Sequence, residues 1–220
     1  MIHKPLIGIV GPSGSGKSTS LRGLDPATTV ILDGERKGFP FKGGEKFRIR
    51  PFTTHFEFEK LLGEAIADTK VKNIVVESFT KYSEQIKLFC ATTYKGYDVW
   101  SNYAKNMRAL LEKVKNTNAN IIFTAIDEIV KIPQVDGSET CRRCISIEGQ
   151  ELKGKIEKEF LLVLFTEPRK NKDGKMEYLF QTNTDGITTA KSPMDMFRDM
   201  NIPNDMSAVL TAMEKYYSTI

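Results

Sequence analysis

Cysteine, histidine and tryptophan are scarce in this sequence, and long apolar runs are missing. Among 220 residues there are three cysteines, two histidines and one tryptophan. Cys90, Cys141 and Cys144 are too few for a disulfide framework and indicate a reducing, cytoplasmic setting. Cys141 and Cys144 have the spacing of half a zinc site, but a structural zinc needs four ligands. Cys90, His3 and His55 are distant in sequence, so the pair reads as free thiols in a flap. No apolar stretch approaches the roughly 20 residues of a membrane-spanning helix. The first residues, Met1 to Pro5, run directly into an apolar segment and leave no room for a signal peptide. Charge of one sign is also lacking, since 32 basic residues face 28 acidic ones. The formal net charge of +4 neither demands nor excludes a nucleic-acid partner. What remains, 40% hydrophobic and 27% charged residues, is the make-up of an ordinary globular chain of one large domain.

What is present is a phosphate-binding loop. The segment Gly11, Pro12, Ser13, Gly14, Ser15, Gly16, Lys17, Ser18, Thr19 fits the pattern of glycine, four residues, then Gly-Lys-Ser. A β-rich run, Leu6 to Val10, precedes it, and a short helix-compatible stretch, Ser18 to Arg22, follows. Such a loop turns successive backbone N–H groups inward to make an anion nest, to which a helix beginning near Lys17 adds its positive end. Lys17 supplies a mobile ammonium for the β- and γ-phosphates, and the Ser18 hydroxyl is placed to ligate Mg²⁺. The segment therefore implies a bound nucleoside triphosphate with Mg²⁺.

The rest of the chain alternates. Asp25-Pro26 stops the first helix, and Thr28 to Leu32 is a buried-type strand ending at Asp33, Gly34, Glu35 and Arg36. Lys37 to Lys46 reads as a loop, and Phe47 to Arg50 as an edge strand. Thr54 and Glu57 form a capping box ahead of a helix carrying Phe58, Leu61, Leu62, Ala65 and Ile66. Asn73 to Glu77 is a third strand, followed by helices over Ser83 to Ala91 and Asp98 to Lys115. The second of these carries a core stripe that includes Trp100 and Tyr103. Ile121 to Ile126 is a fourth strand. The region 130–151 lacks a period and reads as a long loop or flap. Glu159 to Thr166 and Met176 to Thr182 flank an Asp-Gly tip, a hairpin signal; a short strand through Ile187 to Ala190 and a helix over 205–217 close the chain. The expectation is a single α/β domain over 1–220, a P-loop NTPase core with a mixed, mostly parallel sheet and a C-terminal antiparallel hairpin extension at 159–182.

Phosphoryl transfer to water needs a metal partner, a base and a cation near the leaving charge. Glu77, at a strand end, suits the metal-partner role, where aspartate is more usual. Glu35 is the leading base, with Asp33 its rival. Thr124 and Asp127 stand where a γ-phosphate sensor belongs. Lys37, Lys42, Arg142, Arg143, Arg169, Lys170 and Lys172 are basic loop residues that suit a nucleic-acid path or simple solvation. Lys191, after a β-rich run and before Ser192-Pro193, sits where a strand end would hold a cation rigidly, with Arg169 and Arg198 as alternative cations. A small-molecule or nucleotide kinase and a non-hydrolysing nucleotide switch share the size and the phosphate loop.

These segments resemble a family of phage-encoded, RecA-like, AAA-type P-loop ATPases linked to single-strand annealing and recombination. The likeness rests on Gly11 to Thr19, Val30 to Glu35 and Ile74 to Ser78. It continues in Glu148 to Lys155, in Thr188 to Pro193 with Met196-Phe197, and in Asn204-Asp205 with Tyr216-Tyr217. The resemblance implies ATP hydrolysis with Glu35 activating water and Lys191 completing a neighbour's site. It also implies a homo-oligomer, single-stranded DNA and a single-stranded-DNA-binding protein as partners, no membrane, and residence in the host-cell cytoplasm. Two departures stand out: Glu77 replaces an aspartate, and Ile126 occupies the place of a polar sensor.

Overall fold

A computed structural model of the chain describes residues 5–133 and 136–218. An eight-stranded sheet forms its centre, in the order β3-β2-β4-β5-β1-β8-β9-β10. The strands are β1 (Leu6–Val10), β2 (Thr29–Asp33), β3 (Arg48–Pro51), β4 (Asn73–Glu77), β5 (Asn120–Ala125), β8 (Leu162–Lys170), β9 (Met176–Gln181) and β10 (Asn201–Pro203). The first six strands in that spatial order run parallel, while β9 is antiparallel to both β8 and β10. The fold is α/β with a mixed, mostly parallel sheet. β1, β2, β4 and β5 are buried along their whole length, which is why they read as unbroken apolar runs.

Successive side chains of β1 go to opposite faces. Leu6 and Val10 join the core that α1 (His55–Ala67), α2 (Phe79–Thr93) and α3 (Tyr97–Lys115) cover. Ile7 and Ile9 join the opposite core, closed by Leu21 of a short 3₁₀-helix (Ser18–Gly23) and by Met206, Val209 and Met213 of α4 (Met206–Ser218). On the first face Phe58 and Tyr82 meet with ring centroids 3.9 Å apart, and Phe52 lies 5.1 Å from Phe58. Phe52 leaves no space for a side chain at residue 34, since a Cβ on Gly34 would fall 2.6 Å from Phe52 Cζ. That packing pins the turn after β2, from which Glu35 projects.

Several local expectations need correction. The region expected as a loop or flap is an antiparallel ribbon, β6 (Asp127–Pro133) paired with β7 (Glu139–Ile145). Its Gln134 and Val135, like His3 and the rest of Met1 to Lys4, lie outside the described residues. Only Cys144 and Ile145 of the two strands are buried, so the ribbon lacks the clear apolar alternation that betrays a half-buried strand. Residues 187–190 form no strand; Thr188 and Lys191 make single bridges to Arg143 and Val163. α2 starts at Phe79 because the Ser78 hydroxyl accepts from the Lys81 N–H and caps it. The capping box at α1 is half formed: Thr54 accepts from the Glu57 N–H, but the Glu57 carboxylate turns to Thr53. Trp100 is 40% exposed rather than core, lying at the surface beside Tyr103 and under the Lys87 ammonium.

Candidate nucleotide site

The loop from Gly11 to Lys17 caps the C-terminal end of β1, whose Val10 stands opposite Ala125 of β5 and Phe165 of β8. Ligands of parallel α/β sheets bind beyond these strand ends. The loop is braced from beneath. The Gly11 N–H donates to the Ala125 carbonyl at 3.2 Å, and the Ser15 hydroxyl donates to the Pro12 carbonyl at 2.7 Å. Thr166 Oγ1 lies 2.5 Å from Ser15 Oγ and 3.2 Å from the Val10 carbonyl. No side chain fits at residue 11, where a Cβ would lie 1.9 Å from Thr166 Oγ1. The Lys17 ammonium donates to the carbonyls of Gly11 and Pro12, each at 2.8 Å. Burial holds its pKa below the ordinary lysine value, against the pull of Glu77, Asp127 and Glu35. A helix does follow the loop, but as a 3₁₀ turn only six residues long.

A cavity of about 580 Å³ opens over the loop. Lys17, Ser18, Asp33, Glu35, Glu77 and Ser78 line it, so the principal residues expected from sequence converge on one space. The Ser18 hydroxyl donates to Glu77 Oε1 at 2.7 Å. Glu77 Oε2 is buried and has no hydrogen-bond partner, and burial raises the carboxyl pKa above its usual range. An orphaned carboxylate oxygen beside a serine hydroxyl is the donor set a hard divalent cation takes, so these residues fit Mg²⁺. Thr124 Oγ1 donates to the Val76 carbonyl at 3.4 Å.

Glu35 and Asp33 are separated by their partners. Asp33 Oδ1 accepts the N–H groups of Glu35 and Arg36 at 3.0 and 2.8 Å, so it builds the turn. The Gly34 N–H donates to the Glu77 carbonyl at 2.6 Å, which ties the ends of β2 and β4 together. Glu35 reaches across them: Ser78 Oγ donates to its Oε1 at 3.0 Å, and Lys37 Nζ lies 2.5 Å from its Oε2. Burial alone would raise the Glu35 pKa, but the Lys37 and Ser78 hydrogen bonds and the nearby Lys37 and Lys81 charges together bring it below the ordinary value.

Other expected residues lie apart. Asp127, a candidate sensor, is bound to Arg143 at 2.8 Å, and Arg143 also reaches Glu167 at 3.2 Å. Arg169 pairs with Glu177. Lys191 is held beside Val163, level with Gly8 in mid-sheet, and its ammonium lies in the field of Glu157 and Glu159 rather than at the loop. Cys141 is exposed and Cys144 buried, as expected of residues three apart on a strand, which point to opposite faces. No group of three metal-ligating side chains occurs among the described residues. Phe39 and Tyr178, which line the cavity, and Thr166, which braces the loop, carried no motif; Ser78 lay at the end of the Ile74 to Ser78 segment with no role assigned to it.

A phosphate-loop nucleotide-binding fold is what this loop, its serine and the strand-end acids define. The family model of the AAA domain matches residues 3–194, and the chain belongs to that family of AAA-type P-loop ATPases. A search of curated proteins finds no match. Among the described residues, no helix is long and apolar enough to cross a membrane.

Proposed function

We infer that the protein hydrolyses ATP, and that turnover is coupled to single-stranded DNA in the annealing or recombination chemistry of a phage, within the host cytoplasm. The observation that carries the ATPase reading is the convergence of Lys17, Ser18, Glu77 and Glu35 on one cavity. The loop N–H groups and Lys17 bind and orient the phosphates. Ser18 and Glu77 would hold Mg²⁺, which supplies charge neutralisation to the β- and γ-oxygens when bound. Glu35, ionised and fixed by Ser78, takes the proton of the attacking water.

The kinase alternative needs free arginines in a lid that closes over the donor. Of Arg142, Arg143 and Arg169, the last two are engaged in ion pairs, and one remaining arginine is too sparse for such a lid, which favours hydrolysis over transfer to a bound acceptor. The DNA reading rests on the RecA-like resemblance. It is supported by Lys42, Arg142, Lys170 and Lys172, which are exposed and have no ion-pair partner among the described residues. Phosphate release from ATP, measured with and without single-stranded DNA beside a panel of nucleoside acceptors, tests the reading. DNA-stimulated release of inorganic phosphate is expected; a phosphorylated acceptor establishes the kinase, and binding without turnover establishes the switch.

A homo-oligomer follows from the same resemblance, as does a single-stranded-DNA-binding protein as a further partner. Lys191, remote from its own loop, is then the cation offered to the next copy's γ-phosphate. Lys191→Ala and Lys17→Ala proteins, each inactive, should regain part of the DNA-stimulated ATPase when mixed. A co-assembled mixture as inactive as its parents removes Lys191 from that role.

A further inference from the structure

The loop residue Gly16 is crowded by two side chains that phosphate binding does not use. A Cβ there would lie 3.0 Å from Tyr178 Cδ1 and 3.4 Å from Asn204 Oδ1. Tyr178 stands on β9 opposite Pro168, two residues beyond the Thr166 that braces the loop. Its ring therefore overhangs the loop, lines the nucleotide cavity, and is 42% exposed. Asn204 is tied to the same place by its backbone. Its N–H donates to the Tyr178 carbonyl at 3.2 Å, and its carbonyl accepts from Arg22 Nη1 at 3.1 Å. The Asn204 side chain is different: the residue is 3% exposed, and neither Oδ1 nor Nδ2 has a hydrogen-bond partner. A buried amide with both ends unsatisfied is costly and is rarely retained without a use.

We propose that Tyr178 and Asn204 form the base-recognition subsite of the nucleotide site, the phenol ring stacking on the base and the amide selecting adenine. This rests on the nucleotide-binding reading above and adds to it the choice of base. A stacked ring tolerates any base, so it contributes affinity more than selectivity. The amide contributes the selectivity. It offers one acceptor and two N–H donors, which match the donor–acceptor edge of adenine in a bidentate pair. Tyr178 and Asn204 meet at the same point of the loop, so entry of the base lifts the ring from Gly16 and uncovers the amide.

Equilibrium binding of ADP, GDP and inorganic tripolyphosphate to three proteins tests this: wild type, Tyr178→Ala and Asn204→Asp. Tyr178→Ala should weaken ADP about tenfold or more while leaving tripolyphosphate unchanged, because only the base touches the ring. Asn204→Asp presents acceptors only, and guanine has an edge carrying two donors, so the ADP-to-GDP preference should swing toward GDP by about tenfold or more. The proposal is overturned if Tyr178→Ala weakens ADP and tripolyphosphate in equal proportion, which marks the ring as a loop support. It is equally overturned by an ADP-to-GDP ratio identical in all three proteins. If Asn204→Asp does not fold, the ADP-to-tripolyphosphate ratio of Tyr178→Ala decides alone. A wild-type protein that binds none of the three overturns the nucleotide reading together with the subsite, a result distinct from the others.

Discussion

Lys17→Ala should lose tight ATP binding, with a dissociation constant raised about a hundredfold or more, and should melt close to the wild-type temperature. The ammonium makes two charge-assisted hydrogen bonds to the Gly11 and Pro12 carbonyls and stands among the groups that line the cavity. Bonds to a charged group contribute about 1.5–3 kcal/mol each, so an ammonium that exchanges its two loop carbonyls for phosphate oxygens, charged on both sides, would contribute about 3 kcal/mol to ATP binding. A factor of a hundred corresponds to about 2.7 kcal/mol. The fold tolerates the change because the loop is braced by Thr166, Ser15 and Ala125, none of which depends on Lys17. Calorimetric titration with ATP and a thermal melt check both halves. Unaltered ATP affinity in the variant would remove the phosphate loop from the mechanism.

Glu35→Gln should keep ATP and Mg²⁺ binding and lower turnover by about two orders of magnitude or more, the usual contribution of a positioned base. Glutamine still accepts from Ser78 and holds the turn, but it cannot take a proton from water. Asp33→Asn should be mild, since an amide oxygen still accepts the Glu35 and Arg36 N–H groups. The reverse ranking would make Asp33 the base. The pH profile gives a second check. Because the Glu35 pKa lies below its ordinary value, protonation of this base should lower the rate as pH drops into the acid range, below where an ordinary glutamate would be lost. Single-turnover rates of the two variants across pH measure both effects.

The phosphate loop and the strand-end acids were legible because their chemistry is local. A loop that presents N–H groups needs glycine and lysine at fixed spacing, and a buried parallel strand that ends in an acid announces the cavity edge. Glu35 and Asp33 could not be separated in the sequence, because the Asp33 turn is made of side chain-to-backbone bonds that only coordinates reveal. Tyr178 was invisible for another reason. It reaches the loop through the register of β9 on β8, which brings it near Gly16 from more than a hundred positions away in the chain. The ribbon at 127–145 is illegible in the sequence because Pro133 and Asp136-Gly137 read as loop residues, while its strands bury too little to show a period.

Arg143 gives the molecule a mechanical property beyond its charge. β1 is flanked by β5 and β8, and the chain just past each of these strands' contact with Val10 supplies one of its acids, Asp127 or Glu167. The guanidinium, stacked 5.5 Å from the Phe165 ring centroid, thus ties Asp127, just past β5, to Glu167 of β8. It also belongs to the β6–β7 ribbon, and Glu167 belongs to the β8–β9 hairpin. Two hairpins therefore share a single cation. Removing that one side chain would uncouple the two hairpins from each other, since they share no backbone ladder.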